Sequence, residues 1–284
     1  MLSSSIQAGL DNPYGLSKRR AEEILKSYAE DCGAAVAIYR LKNVFGKWCR
    51  PNYNSVVATF CYNVAHDLPL TISDASRRLD LCYVDDVVRA FRGEIVDATG
   101  VTGCSYAEVE PAFSILLGEL AERIRSYRET RCDLSVPEFV DPLNRRLYPT
   151  YLSYLDGADF GYALQQRTDA RGCLAEFLKS PPFGQVFVSR TKPGVTRGNH
   201  YHDTKVEKFL VLEGDAVIRF RHILEADVVE HRVSGQDLRV LDIPPGYTHS
   251  IENVGKSEMI TLFWADEVFD PGSPDTYPCE VVRG

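Results

Sequence analysis

Positive charge is what this sequence is short of: 32 lysines and arginines face 40 aspartates and glutamates, for a formal net charge of −8. Such a surface repels phosphate backbones and acidic lipid headgroups, so no nucleic acid and no membrane surface is expected as a partner. Long apolar runs are also missing, and nothing approaches the roughly 18 to 20 residues of a helical bilayer span. The opening Met1-Leu2-Ser3-Ser4-Ser5 has neither the basic nor the apolar region of a secretory leader. The eight cysteines lie far apart, with no Cys-x-x-Cys pair and no dense framework. That usage suits a reducing compartment, and a cytoplasmic location is expected. Internal repeats and low-complexity tracts are absent. What is present is 44% hydrophobic and 25% charged residues over 284 positions, an ordinary globular balance with room for two domains.

The first hundred residues alternate between helical and strand-like patterns. Tyr14 to Asp31 carries Tyr14, Ala21, Ile24, Leu25 and Tyr28 at helical intervals, and Gly33 stops it. Ala34 to Tyr39 is a continuous apolar run, as expected of a strand buried on both faces. A helix is predicted from Ser55 to Ala65, and Leu79 to Val88 is apolar again. This order points to an α/β fold with a parallel sheet. Phe113 to Arg128 reads as an amphipathic helix within a less regular stretch, residues 105 to 180, taken as a closing cap plus linker with a boundary near 155–165. From about Gly184 to Glu267, short β-rich runs between Gly, Pro and Asn turns predict an all-β sandwich or barrel.

That second part carries the clearest chemistry. Strand alternation sends His200 and His202 to one face, and Glu207 can return to it across a short turn. Downstream, the bend at Pro244-Pro245-Gly246 aims His249 inward from a neighbouring strand. Three imidazoles and a carboxylate form a mixed nitrogen and oxygen site suited to a borderline divalent ion (Zn²⁺, Fe²⁺, Mn²⁺ or Ni²⁺) with positions left open. Gly194, His200, His202, Glu207 and Gly214, then Pro244, Gly246, His249 and Asn253, match the spacing of the two cupin motifs, so this part resembles a cupin barrel. Leu238 stands where the family has a glycine, with Gly235 close by. His222 and His231 fall outside the motifs and are expected to be solvated.

Near the start, Tyr14-Gly15-Leu16-Ser17-Lys18 places a phenol and an ammonium on one helix face. An adjacent positive charge favours phenolate and tunes the tyrosine for proton transfer, with the hydroxyl of Ser4 or Ser5 available to share a substrate oxygen. Four strings occur in this order: Ser4-Ser5-Ile6-Gln7, Asn12 to Lys18, Arg40 to Gly46, and Tyr83-Val84-Asp85-Asp86-Val87. Together they resemble the second half of an extended short-chain dehydrogenase/reductase acting on nucleotide sugars. The resemblance implies Tyr14 as catalytic acid/base, Lys18 as its partner and cofactor-ribose contact, Ser5 as the third catalytic member, and Asn43 beside the nicotinamide. In many relatives an arginine stands at the position of Leu79. The Gly-rich turn that cradles pyrophosphate in such reductases belongs about a hundred residues upstream of Tyr14, and the chain is expected to be an N-terminally shortened form.

Across the whole chain, strings such as Phe45-Gly46-Lys47-Trp48-Cys49, Gly198-Asn199-His200-Tyr201-His202 and Gly246-Tyr247-Thr248-His249 are similar to the bifunctional capsular polysaccharide assembling family. Members are UDP-2-acetamido-2,6-dideoxy-hexulose reductases, with a reductase domain fused to a C-terminal cupin. The expected organisation is an incomplete Rossmann-type α/β half over 1–160 and an all-β cupin barrel over 161–284. The resemblance implies a UDP-keto-sugar substrate, metal-dependent C3 epimerisation of a UDP-4-keto-6-deoxy-N-acetylhexosamine, and NADP(H)-dependent C4 reduction in full-length relatives. Zinc is the expected metal and a homodimer the expected assembly. The rival reading is a reductase-dead chain whose cupin is a metal-binding dimerisation module. Tyr201, Lys205, Lys208 and Tyr247 flank the ligands and are candidates for the epimerisation base. Asp169-Ala170-Arg171-Gly172 is similar to the opening of keto-sugar 3,5-epimerases.

Overall fold

The computed structural model describes residues 1–96 and 102–282. The chain folds as two compact units, Met1–Arg128 with Glu138–Phe160, and Glu129–Pro137 with Gly161–Gly284.

The first unit is α/β. Strand β1 (Leu2–Ser5) leads through a 3₁₀ turn, Ile6–Gly9, into α1 (Pro13–Cys32). Local rules set both ends of that helix. The Asn12 side chain accepts from the Gly15 amide at 2.7 Å, Pro13 occupies the first turn, and Gly33 closes the helix in the left-handed region at φ 65°. Gly15 packs so closely on the 3₁₀ turn that a Cβ there would stand 2.2 Å from the Gln7 carbonyl oxygen. Only glycine allows the helix to start beside β1, and this sets Tyr14 near Ser5.

Next come β2 (Ala35–Leu41), β3 (Asn43–Phe45), α2 (Val56–Ala65), β4 (Arg78–Tyr83), α3 (Val84–Val96), β5 (Gly103–Ala107), β6 (Ala112–Leu116), α4 (Leu117–Asp133) and α5 (Asn144–Leu152). One sheet runs β1-β2-β5, all parallel; a second runs β3-β4-β6, with β6 antiparallel. The largest core gathers Phe45, Phe60, Leu81, Ile115, Leu120, Ile124, Tyr127, Leu147 and Tyr151 from both helices and strands. Two expectations are revised. The apolar stretch Leu79–Val88 divides between β4 and α3, where Asp85 and Asp86 favour the first helical turn. Phe113 belongs to β6, so the helix predicted from Phe113 starts at Leu117. Leu79 itself is buried in the core.

A buried polar network underlies β1. Glu22, 2% exposed, accepts from the Ser4 hydroxyl, from Arg40 at 2.7 Å and from the Tyr106 hydroxyl at 3.0 Å. These donors, Arg40 foremost, hold its carboxyl down to about 2 from an ordinary 4.5. Because the folded state releases the proton more readily, Glu22 stabilises the fold fully above about pH 4.5. That contribution is lost as pH falls towards 2. Replacing Glu22 by Gln is therefore expected to cost about 2 kcal/mol near neutrality, with the gap to the parent narrowing from pH 5 to pH 2. Denaturant unfolding across that range checks it; a gap independent of pH would contradict the assignment.

The second unit is antiparallel β: β7 (Gln166–Asp169), β8 (Gly172–Ser180), β9 (Gly184–Thr191), β10 (Thr196–Tyr201), β11 (Glu207–Glu213), β12 (Asp215–His222), β13 (Val228–Ser234), β14 (Val240–Ile243), β15 (Tyr247–Asn253), β16 (Met259–Ala265) and β17 (Tyr277–Pro278). One sheet is ordered β13-β12-β15-β10-β17 and the other β14-β11-β16-β9-β8-β7. Both feed one core, with Ala216, Ile218, Phe220 and Ile251 from the first sheet and Phe209, Val211, Ile243 and Phe263 from the second. The two sheets are not joined into a continuous hydrogen-bonded ring among the described residues, so the barrel expected from the sequence is an open one. The β structure also begins earlier than Gly184, at β7 and β8, whose alternation the turns obscure.

Candidate metal centre and candidate active site

The histidines are placed by a bulge. Strand β10 pairs with β15 so that Gly198 opposes Ser250 and His200 opposes His249, leaving Asn199 as the extra residue, with φ 59°. Gly198, at φ 97°, lets the strands approach: a Cβ there would lie 2.6 Å from the His249 carbonyl oxygen. The bulge turns His200 towards His249, and their ring centroids are 4.6 Å apart. His202 follows just beyond β10, 5.0 Å from the His200 ring, and Glu207 heads β11. One donor atom from each of His200, His202, Glu207 and His249 lies within 4.8 Å of the others.

The electrostatics match a cation. Glu207 Oε2 stands 3.2 Å from His202 Nε2 and 3.6 Å from His249 Nε2. Burial raises the Glu207 carboxyl, but the two imidazoles more than offset it and hold it down to about 2. Burial, with the neighbouring imidazoles of His249 and His202, pushes His200 down to about 4. Burial lowers His202, but the Glu207 carboxylate outweighs it and raises that imidazole. The ionised Glu207 and the neutral His200 are in the forms that bind a metal, and an ion taking the place of a proton between His202 and Glu207 would complete the set. Both Nε2 atoms, of His202 and His249, are buried without a hydrogen-bond partner. Such orphans are costly unless something accepts their lone pairs, and a divalent ion at the centre fits.

Orientation of His202 comes from far along the chain. Its Nδ1 donates to the Asp275 carbonyl at 2.5 Å, which leaves Nε2 for the centre. The Asp275 carboxylate accepts from the amides of Asp203, Thr204 and Lys205 at 2.7–2.9 Å and lies well below the ordinary carboxylate range; burial opposes this, and those amides outweigh it. The chain ahead of β17 thereby clasps the turn between two ligands. No sequence signal marks Asp275, because its partners are about 70 residues away. Asp275→Ala is expected to weaken metal binding 10–100-fold while the fold persists, measured by competition with a coloured chelator. Unchanged affinity would remove the clasp from the account.

A cavity of about 180 Å³ opens on the centre, lined by His200, Glu207, His249, Arg171, Arg197 and Ser189, with Leu174, Phe187, Phe209, Ile251 and Phe263. None of the four flanking candidates lines it. Lys205 is buried against the Pro274 carbonyl and Glu267, Lys208 pairs with Asp242, Tyr201 stacks on Tyr277, and Tyr247 packs on His222. His222 and His231, expected to be solvated, are half-buried against Tyr247 and Phe220.

In the first unit a pocket of about 510 Å³ gathers Ser5, Tyr14, Lys18 and Asn43, together with Tyr53 and Asn54. Lys18 Nζ donates to the Ser3 carbonyl at 3.0 Å and sits 5.6 Å from the Tyr14 ring centroid. Asn43 donates to the Asp80 carbonyl at 2.9 Å. Of the two serine hydroxyls, Ser4 is committed to Glu22, while Ser5 accepts from the Gln7 amide at 3.2 Å and keeps its own proton to donate.

Residues 3–93 match the NAD dependent epimerase/dehydratase family, and residues 167–277 match the polysaccharide biosynthesis C-terminal domain. A UDP-2-acetamido-2,6-beta-L-arabino-hexul-4-ose reductase from Pseudomonas aeruginosa is 46% identical over all 284 residues, spanning 100% of this chain and 76% of that protein. The chain belongs to this reductase family. The crystal structure of the capsular polysaccharide assembling protein CapF from Staphylococcus aureus covers 99% of this chain and 76% of its own, at 48% identity and a TM-score of 0.92. A second CapF structure, with the inhibitor 3-isopropenyl-tropolone, covers 91% of this chain at 46% identity and a TM-score of 0.86. Enzymes of this reductase family use a nicotinamide dinucleotide and a nucleotide sugar. No helix among the described residues is long and apolar enough to cross a membrane.

Proposed function

We propose that the chain is a nucleotide-sugar enzyme of capsule or O-antigen biosynthesis with two sites. Residues 161–284 epimerise C3 of a UDP-4-keto-6-deoxy-N-acetylhexosamine. Residues 1–160 hold the acid/base half of an NADPH-dependent C4 ketone reductase, on the route to UDP-N-acetyl-L-fucosamine.

The observation that carries the epimerase reading is the convergence of His200, His202, Glu207 and His249 on one buried point inside a cavity. Zinc suits the three-nitrogen, one-oxygen set; when bound, it supplies Lewis acidity for a ketone oxygen and so acidifies the α proton. The chain's own residues present two Nε2 lone pairs and an ionised carboxylate, while Phe187, Phe209, Ile251 and Phe263 exclude water from the keto-sugar. A tropolone carries two adjacent oxygens of the kind a divalent ion accepts, and its standing as a CapF inhibitor supports a metal site here.

In the first unit, Tyr14 is the acid that protonates the reduced oxygen, Lys18 biases it, and Ser5 holds the same oxygen through its free proton. Asn43 lines the same pocket, which supports a place for it next to the nicotinamide of a bound cofactor. Titration with NADPH, followed by nicotinamide fluorescence, measures what this unit binds. A homodimer belongs to the same reading, supported by Val228, Val229 and Val240 standing exposed on the edge strands β13 and β14. Light scattering is expected to give twice the chain mass.

The deciding experiment is exchange. Metal-loaded protein incubated with the 4-keto substrate in deuterated water is expected to introduce one deuterium at C3. A sample with verified metal content that leaves C3 protonated would overturn the epimerase assignment.

A further inference from the structure

The cavity beside the four ligands contains two buried polar atoms that the centre does not explain. Arg197 lies on β10 opposite Ile251, which faces the core, so its side chain runs into the sandwich. Its Nε donates to Thr191 Oγ1 at 3.0 Å, across on β9, yet its Nη2 is buried with no hydrogen-bond partner. Ser189, on β9 and 1% exposed, also has a buried hydroxyl without a partner. Both line the cavity that holds His200, Glu207 and His249.

Two donors left unsatisfied in one cavity ask for an acceptor that meets both, and an anion with several oxygens does so most readily. Charge narrows the class. Burial, and then the nearby Arg171, push the Arg197 guanidinium below its ordinary range, so its positive charge is under-compensated where it sits. Arg171 faces the same cavity but already has its Nε and Nη2 on Asp169, at 2.9 and 2.6 Å. It adds field rather than a free fork, and the Asp169 carboxylate only partly balances the pair. An anion entering the cavity would satisfy Arg197 Nη2 and Ser189 Oγ and sit between two guanidinium charges.

We propose that Arg197 and Ser189 form an oxyanion subsite for a phosphoryl group, adjoining the four-ligand centre. On the reading of this cavity as a nucleotide-sugar site, which the inference extends, the group is a phosphate of the substrate's diphosphate. Arg197 then anchors the nucleotide end of the substrate, which stays attached throughout, while the sugar ring reaches the centre. Its share of binding is felt in the affinity for diphosphate-bearing ligands and not in metal retention.

The test uses the full chain loaded with Co²⁺ or Mn²⁺, with ³¹P relaxation as the readout. Bound phosphorus near the paramagnetic ion relaxes fast, which separates this cavity from any nucleotide site in the first unit. UDP and inorganic pyrophosphate are expected to show metal-dependent broadening. Arg197→Ala should weaken that binding at least tenfold, and Arg197→Lys less. The Co²⁺ spectrum should remain that of the parent, which shows the centre intact. Inorganic orthophosphate is the comparison arm: equal affinity for it would identify a free-phosphate site in place of a substrate subsite and overturn the diphosphate assignment. Broadening that persists unchanged in Arg197→Ala would place the anion on the metal alone and overturn the subsite. Deuterium exchange at C3 without any such broadening would sink this inference and leave the epimerase reading standing.

Discussion

Removing any one of His202, Glu207 or His249 is expected to abolish stoichiometric metal binding and to lower C3 exchange by about 10³-fold or more. All three are buried, and Glu207 Oε2 stands 3.2 Å from His202 Nε2 and 3.6 Å from His249 Nε2, so each loss removes one of four converging donors. The variants differ in a useful way. In His249→Ala the Glu207 carboxylate loses one of the two imidazoles that hold it ionised, whereas Glu207→Gln leaves two imidazole nitrogens facing each other without a negative charge. Both should retain the fold, because the core of Phe209, Ile218, Ile251 and Phe263 packs around the centre without them. Elemental analysis reads the metal and mass spectrometry the deuterium. Chelator treatment of the parent should reproduce the loss, and added metal should restore it. Full exchange in a metal-free variant would show that the chemistry lies elsewhere.

The second large effect concerns Arg221, the largest fully buried side chain among the described residues. From β12 its guanidinium donates to the carbonyls of Val281 at 2.9 Å, Glu280 at 2.7 Å, Glu225 at 3.1 Å and His222 at 3.3 Å. Backbone oxygens, rather than a carboxylate, solvate this charge. Arg221→Met would leave those carbonyls without a partner and loosen Glu280 and Val281 from β12, at an expected cost of about 3 kcal/mol or more. That corresponds to a drop of about 6–12 °C in Tm for a unit of this size. Metal affinity should fall as well, because the same tail pairs with β10 through Tyr277 and Pro278 and clasps His202 through Asp275. Arg221→Lys keeps the charge but loses the planar fork, and should fall between the two. Calorimetry of metal-loaded and metal-free protein measures both effects; an unchanged Tm would show the tail to be held by other contacts.

Much of the centre is legible in the sequence because its rules are local. Two residues apart on a strand means one face, and a Pro-Gly bend before a histidine re-aims it. Spacing alone therefore groups His200, His202, Glu207 and His249. Tyr14 and Lys18, four apart on a capped helix, are the same kind of inference, and Asn12, Pro13 and Gly33 mark the helix ends. The early strands β7 and β8 and the short strand β6 escape such rules where turns or a following helix mask their alternation. The flanking residues Tyr201, Lys205, Lys208 and Tyr247 line no part of the cavity. Tyr201 and Lys208 each follow a ligand by one residue and so take the other face of their strands, and each of the four is engaged outside the cavity.

The two fold classes, the four converging ligands and the Tyr14–Lys18 pair follow from short-range rules, because periodicity, caps and motif spacing act within a few residues. Long-range packing sets what surrounds them: the Asn199 bulge that turns His200, the Asp275 clasp on His202, the commitment of Ser4 to Glu22 and the unsatisfied Arg197 and Ser189 in one cavity. Those arrangements depend on strands distant in sequence being brought into register by a shared core, and no local pattern records which carbonyl or carboxylate will lie opposite.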